Sequence, residues 1–491
     1  MISHTLLLLI IPIVFMAIVF FLKGKTAGYV ALVGSMLSLV VSIIVAVFLH
    51  FHNYFDEFNH PWISSFGINF HVGIDGISMI LVLLTTVLTP FIILTSLQRE
   101  QQNANVFYAL ILLMQAGMLG AFTAMDSFLF YVSYEVALIP IYFICGMWGG
   151  ENRVAVTLKF FIYTLAGSLF MLVAIIYLYL QTPGSHSFEI SEFYKLSLTS
   201  SQQTFIFWGF FLAFAVKIPI FPFHSWQPST YTIAPTAGTM LLAGIMLKMG
   251  LYGLIRFVLP IAPEAVAQWD TLAMILCVCG IIYGSVIAIR QNDLKTLIAF
   301  SSLAHVGLIA AGIFSMNAQG IQGAMIQMFN HGVNAVALFF LIDLLERRSG
   351  TRLMDKFGGI ASVNKKVAVV FAIVMLGSVG LPLTNGFVGE FLLLMGVYQW
   401  NMYAAMFAGL TIILGAVYML RLYRNVFFGE ISEAGKAITP MSMVETIMSY
   451  KLIALIILLG IFPNLLLNIS APAVNKLLNM IAHHSNLTSA L

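Results

Sequence analysis

The sequence predicts an all-α membrane protein of about 14 transmembrane helices, and three observations carry that prediction. Of 491 residues, 60% are hydrophobic and only 8% charged, against about 25% charged in soluble domains. Apolar runs of ~20 residues recur along the whole chain, each long enough to cross ~30 Å of hydrocarbon as a helix. The runs are continuous rather than alternating, which excludes a transmembrane β-barrel.

In order, the spans fall at about 5–22, 28–50, 77–97, 106–124, 127–147, 157–180, 204–228, 236–258, 271–289, 295–315, 319–346, 367–398, 403–427 and 450–470. The opening MISHTLLLLIIPIVFMAIVFFLKGK has no basic leader and no small-residue cleavage site. The first span is therefore expected to be retained rather than removed as a signal peptide. The link 51–76 holds Trp62 and scattered histidines and is expected to be an ordered loop at headgroup level, where Trp prefers to sit. Asp75 opens the segment DGIS and is expected to cap the third span.

Two spans are interrupted. The seventh carries Pro219, Pro222 and Pro228; each proline removes a backbone donor and clashes with the preceding turn. The twelfth breaks at Gly380, Pro382, Asn385 and Gly386. Freed backbone groups cannot face lipid, so both breaks must be buried in protein or line a wet cavity. The segments AVKIP, ending at Pro219, and SVGLP, ending at Pro382, match each other about five spans apart. An odd number of spans inverts the second unit relative to the first, and broken helices at matching places in inverted repeats point to a transport site. The expected organisation is a three-helix segment at 1–103, a five-helix repeat at 104–258 with broken helix 7, an inverted five-helix repeat at 268–428 with broken helix 12, and a C-terminal helix and tail at 429–491.

Seventeen of the 22 Lys and Arg fall on one side of this topology and three on the other. The positive-inside rule makes the rich side cytoplasmic and puts both termini outside. A net charge of +3 with cations at membrane edges excludes nucleic-acid binding. Cys145, Cys277 and Cys279 lie in apolar runs, fit no zinc, haem or iron–sulfur spacing, and are expected to be small buried residues.

Four charges lie inside spans: Glu135 in SYEVALIPIYF, Lys217 in AVKIPIF, Lys248 in AGIMLKMG and Glu390 in GFVGEFLLL. Each costs ~2.5–3.5 kcal/mol at mid-membrane, so pairing, hydration or function must offset them. At ~1.5 Å per residue, Glu135, Lys217, Lys248, His305 and His331 all fall in the middle third of the core, with Glu390 just past the second break. His305 has Ser301 and Ser302 one turn away, and His331 has Asn330 and Asn334 beside it. Histidine's ordinary pKa lies nearest neutrality, so these two are candidates for proton transfer. Asp126, Asp293 and Lys295 read as helix-end residues, while Asp343, Glu346, Arg347 and Arg348 close the eleventh span. His224 abuts the first break.

Hydrocarbon favours a neutral lysine, and a nearby carboxylate favours the charged form. At an effective dielectric of 20, a Glu–Lys pair attracts by ~4 kcal/mol at 4 Å and ~2 kcal/mol at 8 Å. A modest movement of Glu135 relative to Lys217 would thus switch the lysine between holding and releasing a proton.

The segments SYEVALIPIYF, KIPIFPFHSWQPSTYTIAPTAGTMLLAGIMLKMGLYGLIRF, QNDLKTLIAFSSLAHVG, QMFNHG and GLPLTNGFVGEF resemble the antiporter-like subunits of respiratory complex I over nearly the whole chain. Glu390, where related subunits commonly carry Lys, narrows the resemblance to one branch. It implies a proton-translocating membrane-arm subunit of an NADH:quinone oxidoreductase in a bacterial inner membrane, beside neighbouring antiporter-like subunits. It implies that Glu135 and Lys217 form an input pair, that Lys248, His305 and His331 relay protons, and that Glu390 is the terminal group. FMN, iron–sulfur clusters, NADH and quinone would belong to partner subunits, with no cofactor or metal in this chain. The alternatives are a subunit of a multisubunit Na⁺/H⁺ antiporter or membrane hydrogenase, and a passive membrane scaffold.

Overall fold

The computed structural model describes residues 3–52 and 56–488. Its helices follow the apolar runs. They are α1 (His4–Phe20) and α2 (Gly24–His52), then a hairpin of β1 (Asp56–Ile63) and β2 (Ile68–Ile74). Next come α3 (Gly76–Ser96), α4 (Ala104–Thr123), α5 (Ser127–Val136), α6 (Leu138–Trp148), α7 (Arg153–Gln181), α8 (Ser200–Lys217) and α9 (Gln227–Ile233). They are followed by α10 (Thr236–Ile261), α11 (Pro263–Arg290), α12 (Leu294–Phe314) and α13 (Ala318–Ser349). The chain ends with α14 (Lys365–Val379), α15 (Asn385–Trp400), α16 (Met402–Phe427), α17 (Met443–Ile461) and α18 (Asn464–Thr488).

Among the described residues, 12 helices are long and apolar enough to cross a membrane. This set differs from the 14 expected spans. The first helix has only 17 residues, and the seventh and twelfth spans are split into α8/α9 and α14/α15. The expected tail forms α18, whose window Asn464–Ala482 is among the 12. That window buries Leu466, Ser470, Val474, Leu477 and Ile481 on one face and exposes Asn464, Asn468, Asn475 and Asn479 on another. It rests on the start of α3, the end of α10 and on α13, so the tail is a packed amphipathic helix.

The link before the third span is a two-stranded antiparallel hairpin rather than a loop, pairing Asp56 with Ile74 and His60 with Phe70. β2 alternates apolar and polar residues from Ile68 to Val72, a period-2 pattern too short to stand out beside long apolar runs. Residues 53–55 of that link lie outside the described residues. Asp75 caps α3 through a capping box with Ser78, as the sequence suggests.

Helix α13 is buried over nearly its whole length and packs against α3, α10, α12, α15, α17 and α18. Small residues allow these approaches: a Cβ on Gly332 would meet the Gly244 carbonyl at 2.7 Å, so α10 and α13 cross nearly backbone to backbone there. The first break begins directly after Lys217, and residues 218–226 turn before α9. Trp226 Nε1 donates to Val216 O at 2.8 Å and Ile220 N to Ala215 O at 2.7 Å, replacing helical bonds that the prolines remove. The second break ends α14 with Gly380 at φ +76° and bends through Leu383 at φ +73°; for a non-glycine residue that conformation is uncommon.

Two departures from regular helix fall beside charges. The fifth span passes a one-residue irregularity at Ala137, two residues after Glu135, with the backbone still helical at φ −68° and ψ −22°. Span α10 contains wide π turns at Leu242–Met246 and Leu254–Val258, on either side of Lys248; such turns cluster at functional sites. Cys145 and Cys277 are buried, but Cys279 is exposed on the outer surface of α11. It departs from the expected burial because the helix turns that residue away from the bundle.

Candidate functional site

Two short strings of polar side chains meet in the middle of the bundle. In the first, Lys248 Nζ donates to Ala243 O at 2.5 Å and lies 2.9 Å from His331 Nδ1. The carbonyl is free to accept because the π turn at 242–246 displaces the regular helical bonding. The other nitrogen, His331 Nε2, is 3.1 Å from Ser302 Oγ. In the second string, His305 Nδ1 is 3.1 Å from Glu390 Oε1, both side chains being buried. The two imidazole centroids are 6.2 Å apart. A cavity of about 20 Å³ lies at that gap, lined by Ser301, Ser302, His305, Gln327, His331 and Asn334, among others. A water needs roughly 10–15 Å³ and two to four polar partners, so the cavity can hold one.

Amides fix the second break against α13. Asn330 Nδ2 donates to Asn385 O at 2.7 Å and Asn334 Nδ2 to Gly377 O at 3.0 Å. The side-chain oxygens of Gln327, Asn330 and Asn334 are buried without a protein partner, and an unmade bond at such a group is costly. Ser301 Oγ is 2.9 Å from Tyr418 OH.

Lys217 and Glu135 do not form a direct ion pair. Lys217 Nζ lies 4.4 Å from the centroid of the Tyr134 ring, and both Nζ and Glu135 Oε1 are buried without a hydrogen-bond partner. Lys217 Nζ thus faces an aromatic ring rather than a carboxylate. Lys217 abuts α10 close to Lys248: a Cβ on Gly250 would come 3.3 Å from Lys217 Cβ. His224 is buried between Phe221 and Tyr283, with Nδ1 unpartnered.

Three groups near this line were not singled out from the sequence. Tyr134 left no signal beyond its place next to Glu135. Tyr252 and Arg256 follow Lys248 at four-residue spacing, one face of a helix, and that was readable. Arg256 NH1 is 2.8 Å from Asp75 Oδ2 and its Nε donates to Tyr252 OH at 3.0 Å. Burial pushes the Asp75 carboxyl up, but the Arg256 charge and bonds from Ser78 win and hold it below the usual carboxylate value.

On the hairpin face, Asp126 caps α5: Oδ1 accepts from Phe128 N at 2.8 Å and Leu129 N at 3.0 Å, and Oδ2 from Asn69 N at 3.2 Å. Glu189 accepts from Asn69 Nδ2 at 3.1 Å and lies 2.7 Å from His71 Nδ1. Burial pushes the Asp126 carboxyl up to about 6, against its backbone bonds and with the Glu189 charge. Burial pulls the His71 imidazole down, but Glu189 and Glu57 overcome it and raise it above its ordinary value. On the opposite, basic face, Asp293 caps α12, and Lys295 is buried and donates to Ala234 O at 2.5 Å. Arg347 and Arg348 grip Glu445 at 2.9 and 2.8 Å, and Arg99 reaches Asp343 at 2.7 Å. Among the described residues, no group of three or more His, Cys, Asp or Glu could hold a metal.

A bundle of apolar helices with two breaks, and ionisable groups strung between them, defines a class of ion-translocating membrane subunits. Residues 124–415 match the family described as "NADH:quinone oxidoreductase/Mrp antiporter, TM". The chain is 42% identical to NADH-quinone oxidoreductase subunit M of Rickettsia typhi, over 97% of this chain and 98% of that one. It is 36% identical to subunit M of Escherichia coli K12, over 86% and 85%. It superposes on a chain of respiratory complex I from Thermus thermophilus with a TM-score of 0.88 at 30% identity, covering 96% and 99%. A chain of the Mrp complex from a Dietzia species shares the fold alone, with a TM-score of 0.84 at 20% identity over 98% of both chains. The chain belongs to the NADH-quinone oxidoreductase subunit M family.

Proposed function

We propose that this chain is a proton-translocating membrane-arm subunit of an NADH:quinone oxidoreductase in a bacterial inner membrane, moving protons through its interior while redox chemistry proceeds in partner subunits. The observation that carries this is the string Lys248–His331–Ser302, separated from His305–Glu390 by one polar cavity. Glu135 and Lys217 form the input end, Lys248, His331 and His305 relay, and Glu390 is the terminal group beside the second break. The string suits one mobile proton rather than several. Two positive charges 2.9 Å apart at Lys248 and His331 would repel by ~6 kcal/mol at an effective dielectric of 20. A proton on one group therefore drives the other to stay neutral, and movement requires handing it on.

The breaks put backbone dipoles and amides at the same depth as the charges, which suits inverted units at 104–258 and 268–428. The 17-to-3 excess of cations puts the basic face in the cytoplasm and the hairpin face outside. NADH, FMN, iron–sulfur clusters and quinone belong to partner subunits. A place in a Na⁺/H⁺ antiporter assembly is less favoured, since the Mrp chain is 20% identical whereas a subunit M relative is 42% identical.

The test is Lys217→Ala in the assembled complex in sealed vesicles, with protons moved per NADH as the readout. Fewer protons per NADH are expected with the complex still assembled. An unchanged ratio would leave only the scaffold role.

A further inference from the structure

Two apolar grooves open on the outside of the bundle, and they differ in charge. The first, about 400 Å³, lies between α1 and α4, with Met16, Phe20 and Phe21 on one wall and Ala109, Leu110 and Leu113 on the other. Ala109 to Leu113 lie five to nine residues into α4, and Met16 lies four residues before the end of α1. At ~1.5 Å per residue the groove runs from the basic edge ~6 Å along α1 and ~14 Å along α4, within a ~30 Å hydrocarbon layer. Asn105 Nδ2 donates to Phe20 O at 2.9 Å and pins the helix ends together at its mouth.

Phe21, at the mouth, is 83% exposed. Lys23 and Lys25 follow it, both exposed. With ~3.8 Å between consecutive Cα atoms, their ammonium groups can reach a headgroup sitting over the groove. No described carboxylate pairs with either lysine. The second groove, about 270 Å³, lies between α11 and α16 and is lined by Met274, Cys279, Trp400, Tyr403 and Phe407. The charge at its rim is Asp270, held by Trp400 Nε1 at 2.8 Å, and residues 263–289 and 385–420 contain no Lys or Arg.

We propose that the α1–α4 groove is a binding site for an anionic phospholipid, with one acyl chain in the cleft and the phosphate against Lys23 and Lys25. The site is independent of the proton path and of which face is cytoplasmic. The α11–α16 groove, with the same apolar lining and the opposite rim charge, is an internal control that takes acyl chains without preferring anionic ones.

The purified full chain is loaded with phosphatidylglycerol and phosphatidylcholine of identical acyl chains, and native mass spectrometry reads the lipids retained. Each basic residue near an anionic headgroup contributes about fivefold, equivalent to ~1 kcal/mol. The wild-type chain should therefore retain one phosphatidylglycerol with roughly 25-fold preference, and Lys23→Gln with Lys25→Gln should remove that preference. Both lysines are exposed, so this variant keeps the fold. Ala109→Trp, which fills the first groove, should lose the bound lipid, whereas Ala404→Trp beside the second should not. Equal retention of the two lipids by wild type, or a preference that survives the double lysine substitution, would overturn the site.

Discussion

Acid should tighten the hairpin face of this protein, through Asp126 and His71. The Asp126 carboxyl is buried and pushed up to about 6, against an ordinary 3.8. For an acid whose folded value is raised, the stabilising contribution is full below the ordinary value and lost as pH rises through the folded one. With 6 in the closed form and 3.8 in the opened form, openings that free Asp126 are about tenfold rarer at about pH 5 than at about pH 7.5, or ~1.4 kcal/mol. His71 is raised too; its contribution is present below 6.5 and lost above its folded value, so both act in one direction. Hydrogen exchange of peptides covering 56–74 and 126–130, corrected for intrinsic rates, measures this directly. Asp126→Asn keeps a good cap but loses the Asp126 part of the pH dependence, and adding His71→Gln flattens the rest. Equal protection at the two pH values, or stronger protection at about pH 7.5, would show that these groups do not tighten the hairpin face in acid.

Other outcomes follow from single contacts. Gly332→Ala presses a methyl on the Gly244 carbonyl beside the Lys248–His331 contact; a complex of normal abundance with fewer protons moved per NADH is expected, since small misplacements of reacting groups are expensive. Gly380→Ala strains a left-handed residue and drives its methyl against Glu390 Oε2, so pumping should fall while NADH oxidation by partner subunits continues. Arg256→Leu leaves Asp75 unpaired; as Asp75 is partly exposed, a loss near 3 kcal/mol is expected in thermal unfolding. The Asp75–Arg256 contribution is present above the ordinary carboxylate value and lost as pH falls through the depressed one, so the variant and wild type should converge in strong acid.

Much of the architecture was legible because lipid imposes one rule on every span: apolar side chains outside, backbone bonds satisfied within. The two breaks could be read to within a few residues, since proline at 219 and 222 and glycine at 380 have few other uses there. What escaped was structure without a hydropathy signature. The hairpin 56–74 is short and polar, and α18 mixes asparagines with leucines, so its window is the least apolar of the 12. The charged residues were found because burying them is costly, but their partners were not. That Lys217 rests on Tyr134 instead of reaching Glu135, or that Asp75 and Arg256 meet across 181 positions of sequence, depends on helix packing, which one sequence does not encode in any local pattern. The approach of His305 to Glu390 belongs to the same category.

The central claim is that the buried charges communicate through water. A structure of the assembled complex at a resolution that reveals ordered water tests it most directly. A water is expected in the cavity between Ser302 and His305, within hydrogen-bonding distance of both, continuing a line from Lys217 to Glu390. A dry cavity, with the two imidazoles closed off from each other by apolar side chains, would contradict it.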